Sequence, residues 1–180
     1  HLIPAALVSN GAGFVQVDEN GKYYNAAETD AFLEAMNWVM DMVSKYEMKA
    51  PEGAEWNYFE SAFINGEVAL QVHEDYFAGS LSNMEDDYGF VFFPKGPRVD
   101  TYLYAPSDNI MVIPACYDAD RAWKIAFAYN LFTNPTPGYT DSDDWKNGYY
   151  QKYRDERAVD ETIAMMREPE HQFVWYSDMV

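Results

Sequence analysis

Positive charge is scarce in this sequence: 12 Lys and Arg stand against 30 Asp and Glu, a formal net charge of −18 over 180 residues. Nucleic acids and anionic membrane surfaces are bound through clustered Lys and Arg, so the balance argues against both as ligands. Acidity of this kind otherwise marks a solvated surface. Cysteine is nearly absent. The single Cys116 excludes an internal disulfide, and its place between Pro114-Ala115 and Tyr117 reads as a small buried thiol rather than a nucleophile. No run of 18 apolar residues exists, so no helix is expected to span a bilayer. No secretory signal is visible. The opening "HLIPAALVSNG" has no start methionine and reads as the edge of a piece cut from a longer protein. The three histidines, His1, His73 and His171, have no metal-ligand spacing. There is no Ser-His-Asp signature, no glycine-rich phosphate loop and no internal repeat.

Aromatic residues are plentiful: 5 Trp, 15 Tyr and 11 Phe, 17% of the chain. Such rings suit core packing and sugar stacking alike, so their number decides nothing and their placement must. Apolar residues make up 48%, which with the periodic segments below excludes wholesale disorder.

Along the chain, "FVQVDENGKYYN" predicts a hairpin, with Val15 and Val17, then Asp18-Glu19-Asn20-Gly21, then Lys22-Tyr23-Tyr24. Asn25 with Glu28 three residues on predicts a helix start. Phe32, Leu33, Met36, Val39, Met40 and Val43 then fall on one helical face. A second helix is expected over about 54–65, with Trp56, Phe59, Ala62 and Phe63 on one core stripe, ended by Asn65-Gly66. Val68, Leu70 and Val72 alternate with Glu67, Ala69 and Gln71, the period of a half-buried strand. Apolar runs at 90–93 and 109–114 read as buried strands. Helices are expected over about 118–132 and 156–168, the second stopped by Pro169. The first of these is apolar on most of its circumference and wants neighbours on several sides. Helices mixed with short strands indicate an α/β or α+β chain.

Four of these segments in order resemble one family. "VDENGKYYNAAETDAFLEAMNWVMDMV", "WNYFESAFINGEVALQV", "DDYGFVFFPKGP" and "NIMVIPACYDADRAWKIAFAYNLF" are similar to the C-terminal half of bacterial extracellular solute-binding proteins of ABC importers, the maltose-binding-protein-like group. The likeness covers roughly residues 10–133 and thins beyond 134. It implies an α/β, periplasmic-binding-protein type II-like C-terminal lobe, helix-rich with a small mixed sheet. Residues 1–180 would form one lobe with crossing segments near 103–110 and 133–140, its N-terminal partner lobe mostly absent.

The resemblance also implies a site. The segment after the helix-Asn-Gly-strand unit would line a solute cleft, with Tyr76 or Phe77 where the family commonly has a stacking tryptophan, and Glu74 and Asp75 as acceptors for sugar hydroxyls. Ser107, Asp108 and Asn109 fall on a crossing segment, as solute contacts or as a capped turn before a strand. Trp175 matches a C-terminal aromatic of sugar-binding members, or packs in the core. The implied function is capture of a sugar or oligosaccharide outside the cell for delivery to a membrane permease, by a protein held as a lipoprotein in its full-length form. No cofactor, metal or catalytic activity is expected. Self-association of the fragment through its apolar 118–132 helix is the remaining partner expected.

Two other classes compete. A glycosidase needs two carboxylates facing each other roughly 5–10 Å apart, and the adjacent Glu74 and Asp75 point oppositely on an extended chain. A cationic solute such as a polyamine would take Glu74, Asp75 and Asp108 as counter-charges. The acidic "DSDDW" (141–145) lacks the loop length, central glycine and terminal glutamate of a calcium hand and reads as a turn.

Overall fold

Helix α1 (Leu2–Ser9) opens the computed structural model, which describes residues 1–106, 111–139 and 141–179. Pro4 lies in its first turn, where a missing N–H costs nothing, and Ala5, Ala6 and Leu7 are strong helix formers. The patterns above do not anticipate this helix. It ends at Gly11 (φ +69°), whose N–H donates to the Val8 carbonyl (2.9 Å) while Ala12 N–H reaches back to Leu7 (2.8 Å). Helix α3 (Tyr58–Ile64) stops in the same way at Gly66 (φ +70°), with Gly66 N–H on Phe63 (3.0 Å) and Glu67 N–H on Ala62 (2.9 Å). Only glycine enters this left-handed conformation without a steric cost, so Asn65-Gly66 is the stop the sequence announces.

The hairpin forms as expected. Strands β1 (Val15–Val17) and β2 (Tyr23–Asn25) pair antiparallel, Val15 opposite Asn25 and Val17 opposite Tyr23. Asp18 Oδ1 gathers the N–H groups of Asn20 and Lys22, both at 2.9 Å, and closes the loop. Helix α2 (Asp30–Tyr46) starts later than Asn25 and Glu28 suggest. Its cap is Thr29, whose hydroxyl accepts from Phe32 N–H (3.4 Å), while the Asn25 carboxamide instead accepts from Ala27 N–H (3.0 Å) in a local turn. Phe32, Ala35 and Val39 are buried, whereas Leu33, Met40 and Val43 are exposed. The covered stripe is narrower than the periodicity implies, and α1 packs on it through Leu7 against Phe32 and Ala35.

Leu7, Ala12, Phe32 and Ala35 make that core, with Met36 and Trp175 against it. Buried Asn10 fastens it. Its Nδ2 donates to the Ala31 carbonyl of α2 (2.8 Å) and its Oδ1 accepts from Arg98 N–H (3.2 Å). Gly96 N–H donates to the Ser9 carbonyl (2.8 Å), and a β-carbon at 96 would lie 2.3 Å from Asn10 Oδ1. Arg98 then forks onto Glu34 of α2 through Nε (2.8 Å) and Nη2 (2.5 Å), and this hydrogen-bonded guanidinium holds the Glu34 carboxyl below its ordinary range.

The expected small mixed sheet does not form among the described residues: the one sheet is the two-stranded hairpin. Residues 67–72 join no ladder and bend at 67 and 69, and Leu70 is 88% exposed. Alternation fits a chain to a sheet only if a partner edge exists, and none pairs with it among the described residues. At 90–93 the rings are covered by other rings instead: Phe90 by Tyr153 (5.4 Å), Phe92 by Tyr102 (5.6 Å) and Phe93 by Trp38 (5.6 Å), while Val91 faces solvent. Residues 111–114 are likewise not a strand and are exposed.

A 3-10 turn, Asp75–Leu81, buries Phe77, Ala78 and Leu81 with Met84. The segment that follows helix α5 (Lys146–Tyr150) locks it in place. Tyr153 O–H donates to the Asp75 carbonyl (3.1 Å), Tyr88 O–H to the Lys152 carbonyl (2.7 Å), and Arg154 to the Met84 and Asp86 carbonyls. The expected last helix is a π-helical turn, Ala158–Ile163, continued by helix α6 (Ala164–Met166); Pro169 stops it and opens a further 3-10 turn, Pro169–His171.

By contact the chain divides into two units, His1–Pro106 with Tyr149–Val180, and Ser107–Gly148. The second unit contains helix α4 (Ala119–Thr133), capped by Asp118 Oδ1 on Arg121 N–H (2.8 Å), with Trp123 and Phe127 stacked at 5.1 Å. No residue of α4 is buried. The chain is thus α/β and helix-rich with one small sheet, and no described helix is long and apolar enough to cross a membrane.

Two predictions follow from this packing. Asn10→Ala removes the side-chain donor to the Ala31 carbonyl, leaves the Arg98 N–H without its acceptor, and is expected to cost about 1–3 kcal/mol in urea unfolding. Burial first, and the Asp75 charge second, push the Tyr153 phenol well above its ordinary value. Its contribution to stability is complete below about pH 10 and is lost as pH climbs toward the folded-state value, because the unfolded chain gives up that proton first. The fall in stability above pH 10 should therefore be shallower in Tyr153→Phe, read from unfolding midpoints against pH.

Candidate functional site

The end of the irregular 67–74 segment carries the chemistry. Phe77 is sunk in the core beneath it, and the Asp75 carbonyl is held by Tyr153, so the backbone at 73–77 is fixed from below. His73 is the hub. Its ring stacks on Phe77 (4.2 Å, 18°) and on His1 (4.7 Å, 28°), and meets Phe59 at 5.9 Å. Tyr76 stands edge-on to it at 5.5 Å and 81°. Trp56 extends the group through Phe59, 6.5 Å away. The His73 side chain is only 7% exposed, with Tyr76 and Trp56 at the open margin.

Two carboxylates address this hub. Glu74 bridges the Nδ1 edges of the two stacked imidazoles, Oε1 at 3.1 Å from His1 Nδ1 and Oε2 at 3.1 Å from His73 Nδ1. Glu60, from α3, faces His73 Nε2 at 3.4 Å and is itself steadied by the Asn57 carboxamide (3.3 Å). The Glu74 N–H donates to His73 Nδ1 at 2.9 Å, which assigns the lone pair to Nδ1 and the proton to Nε2, toward Glu60.

Of the two rings expected to stack on a solute, Phe77 is buried and Tyr76 is 67% exposed, so Tyr76 is the accessible one. Glu74 lies beside it. Asp75 is half-buried and faces another neighbourhood: its charge is felt by the phenols of Tyr104, Tyr149 and Tyr153, all pushed upward first by burial. Asp108 and Asn109, with Ser107, lie outside the described residues. Trp175 packs on the α1–α2 core and meets Phe14 at 6.3 Å.

Two expectations are corrected. Trp56 is 83% exposed instead of lying on a core stripe, because α3 begins only at Tyr58 and Trp56 precedes the helix. Cys116 is exposed, carried outward on the turn closed by Tyr117 N–H on the Pro114 carbonyl (3.2 Å). Spacing also conceals the pairing of His1 with His73. They are far apart in sequence, and only the placement of α1 brings their rings together; no local pattern could have shown it.

Compared with protein-family models, with curated proteins and with solved structures, the chain matches none.

Proposed function

We propose that the chain is the sugar-binding C-terminal lobe of an extracellular solute-binding protein, one that hands its solute to the membrane permease of an ABC importer. Tyr76 is the ring that stacks on the sugar and Glu74 the group that accepts its hydroxyls. The observation carrying this reading is the Tyr76 ring: open to solvent, yet mounted on a backbone anchored by buried Phe77 and the Tyr153 hydrogen bond. An aromatic face that loses little freedom on binding is what a weakly polar sugar face needs. Glu74, on the preceding turn of chain, supplies two acceptor oxygens beside it. The net charge of −18 favours neutral solutes over phosphorylated ones. In the intact protein, closure of two lobes would complete the enclosure, and a lipid anchor would keep it at the cell exterior.

The test is calorimetry or ligand-detected NMR against a panel of neutral oligosaccharides, on this chain and on the full-length protein. Binding should be weak for the chain alone, since it offers one side of the cleft. Tyr76→Ala should cost the full-length protein about 1–3 kcal/mol, and Tyr76→Phe should retain most of the affinity. An affinity that ignores Tyr76→Ala overturns the assignment. Binding of polyamines in place of sugars, lost in Glu74→Gln, would move the reading to a cationic solute.

A further inference from the structure

We propose that His1, His73 and Glu74 form a binding site for a divalent transition cation of the zinc type. One contact within this group is unfavourable as it stands. Glu74 N–H donates to His73 Nδ1 (2.9 Å), so Nδ1 presents a lone pair. The same nitrogen faces the carboxylate Oε2 of Glu74 at 3.1 Å. Two acceptors at that separation repel unless positive charge stands between them. His1 Nδ1 approaches the other carboxylate oxygen at 3.1 Å, and one donor atom from each of the three residues lies within 4.8 Å of the others.

These separations suit a small cation. With bonds of about 2.0–2.1 Å, a tetrahedral ion sets its donors about 3.3 Å apart. Each imidazole nitrogen is already near that separation from one carboxylate oxygen, but the two oxygens differ, so the carboxylate must turn to offer one oxygen to both nitrogens while the imidazoles draw closer. The Glu74 amide bond to Nδ1 is displaced in the process, at the cost of one ordinary hydrogen bond. The outer partner is also in place. Glu60 faces His73 Nε2 at 3.4 Å, the carboxylate–histidine arrangement that fixes a ligand's tautomer and raises its basicity. Two imidazoles and one carboxylate select zinc, cobalt or nickel over calcium and magnesium, which prefer oxygen throughout. Three protein donors leave a fourth position open to water or to a solute group. The site does not rest on the sugar reading.

The experiment uses the untagged chain, titrated with Zn2+ by calorimetry and with Co2+ by visible absorption. One equivalent should bind, with the intense Co2+ bands of a low-coordinate nitrogen–oxygen site, and excess Ca2+ or Mg2+ should not displace it. Glu60→Gln should weaken binding by about 10–100-fold. His1→Ala and Glu74→Gln, both at exposed positions, should weaken it at least as much while leaving the circular dichroism unchanged. His73→Ala removes a ring stacked on the core, so its folding is checked separately, and the exposed variants decide the matter. Absence of a saturable equivalent, affinity unchanged in both exposed variants, or displacement by Ca2+ would each overturn the site and leave only diffuse attraction to an acidic surface.

Discussion

The buried side chain of Asn10 is the joint on which the first unit depends. One carboxamide satisfies a carbonyl of α2 and an amide of the 94–98 loop, at the point where α1 has just ended in a left-handed glycine. Without it the apolar contact between Leu7 and Phe32 would still attract, but hydrophobic burial has no direction and would not fix the angle of α1. That angle has a distant result. His1 stands at the other end of the same helix, and its stacking on His73 exists only because α1 is held as it is.

What the sequence makes legible is whatever is decided locally. The Asp18–Gly21 loop and the Asn65-Gly66 stop each depend on residues a few positions apart, and each is found where the pattern places it. The strands are different. Val68, Leu70 and Val72 alternate correctly, but alternation describes a face and says nothing of the edge that must pair with it. At 90–93 aromatic neighbours from Trp38, Tyr102 and Tyr153 cover the rings instead, contacts no window of sequence contains. Thr29 displaces Asn25 as a cap because Asn25 already serves a turn of its own, a competition between two legitimate uses of one carboxamide. In the candidate site, Tyr76 and Glu74 enter only through the resemblance, and no local pattern points to His1, which the placement of α1 alone brings to His73.

The site combines a rigid floor with an open rim. Phe77 and Tyr153 immobilise the backbone; Tyr76, Glu74 and Trp56 face outward from it. A carboxylate has about four lone-pair positions, so a cation held by one Glu74 oxygen leaves acceptor capacity on the other. The proposed solute and cation sites would therefore draw on different oxygens of one residue.

The crossing of Gly96 over Asn10 has an evolutionary side. Position 96 can gain a side chain only if position 10 first becomes smaller, since the β-carbon and the carboxamide oxygen would otherwise occupy the same space. A smaller residue at 10, however, gives up both hydrogen bonds before anything is gained. The two positions are bound to drift as a pair or not at all, and the path between one pair and another runs through a less stable intermediate. Among descendants of this chain, Asn10 and Gly96 should be inherited together even where the surfaces around them diverge.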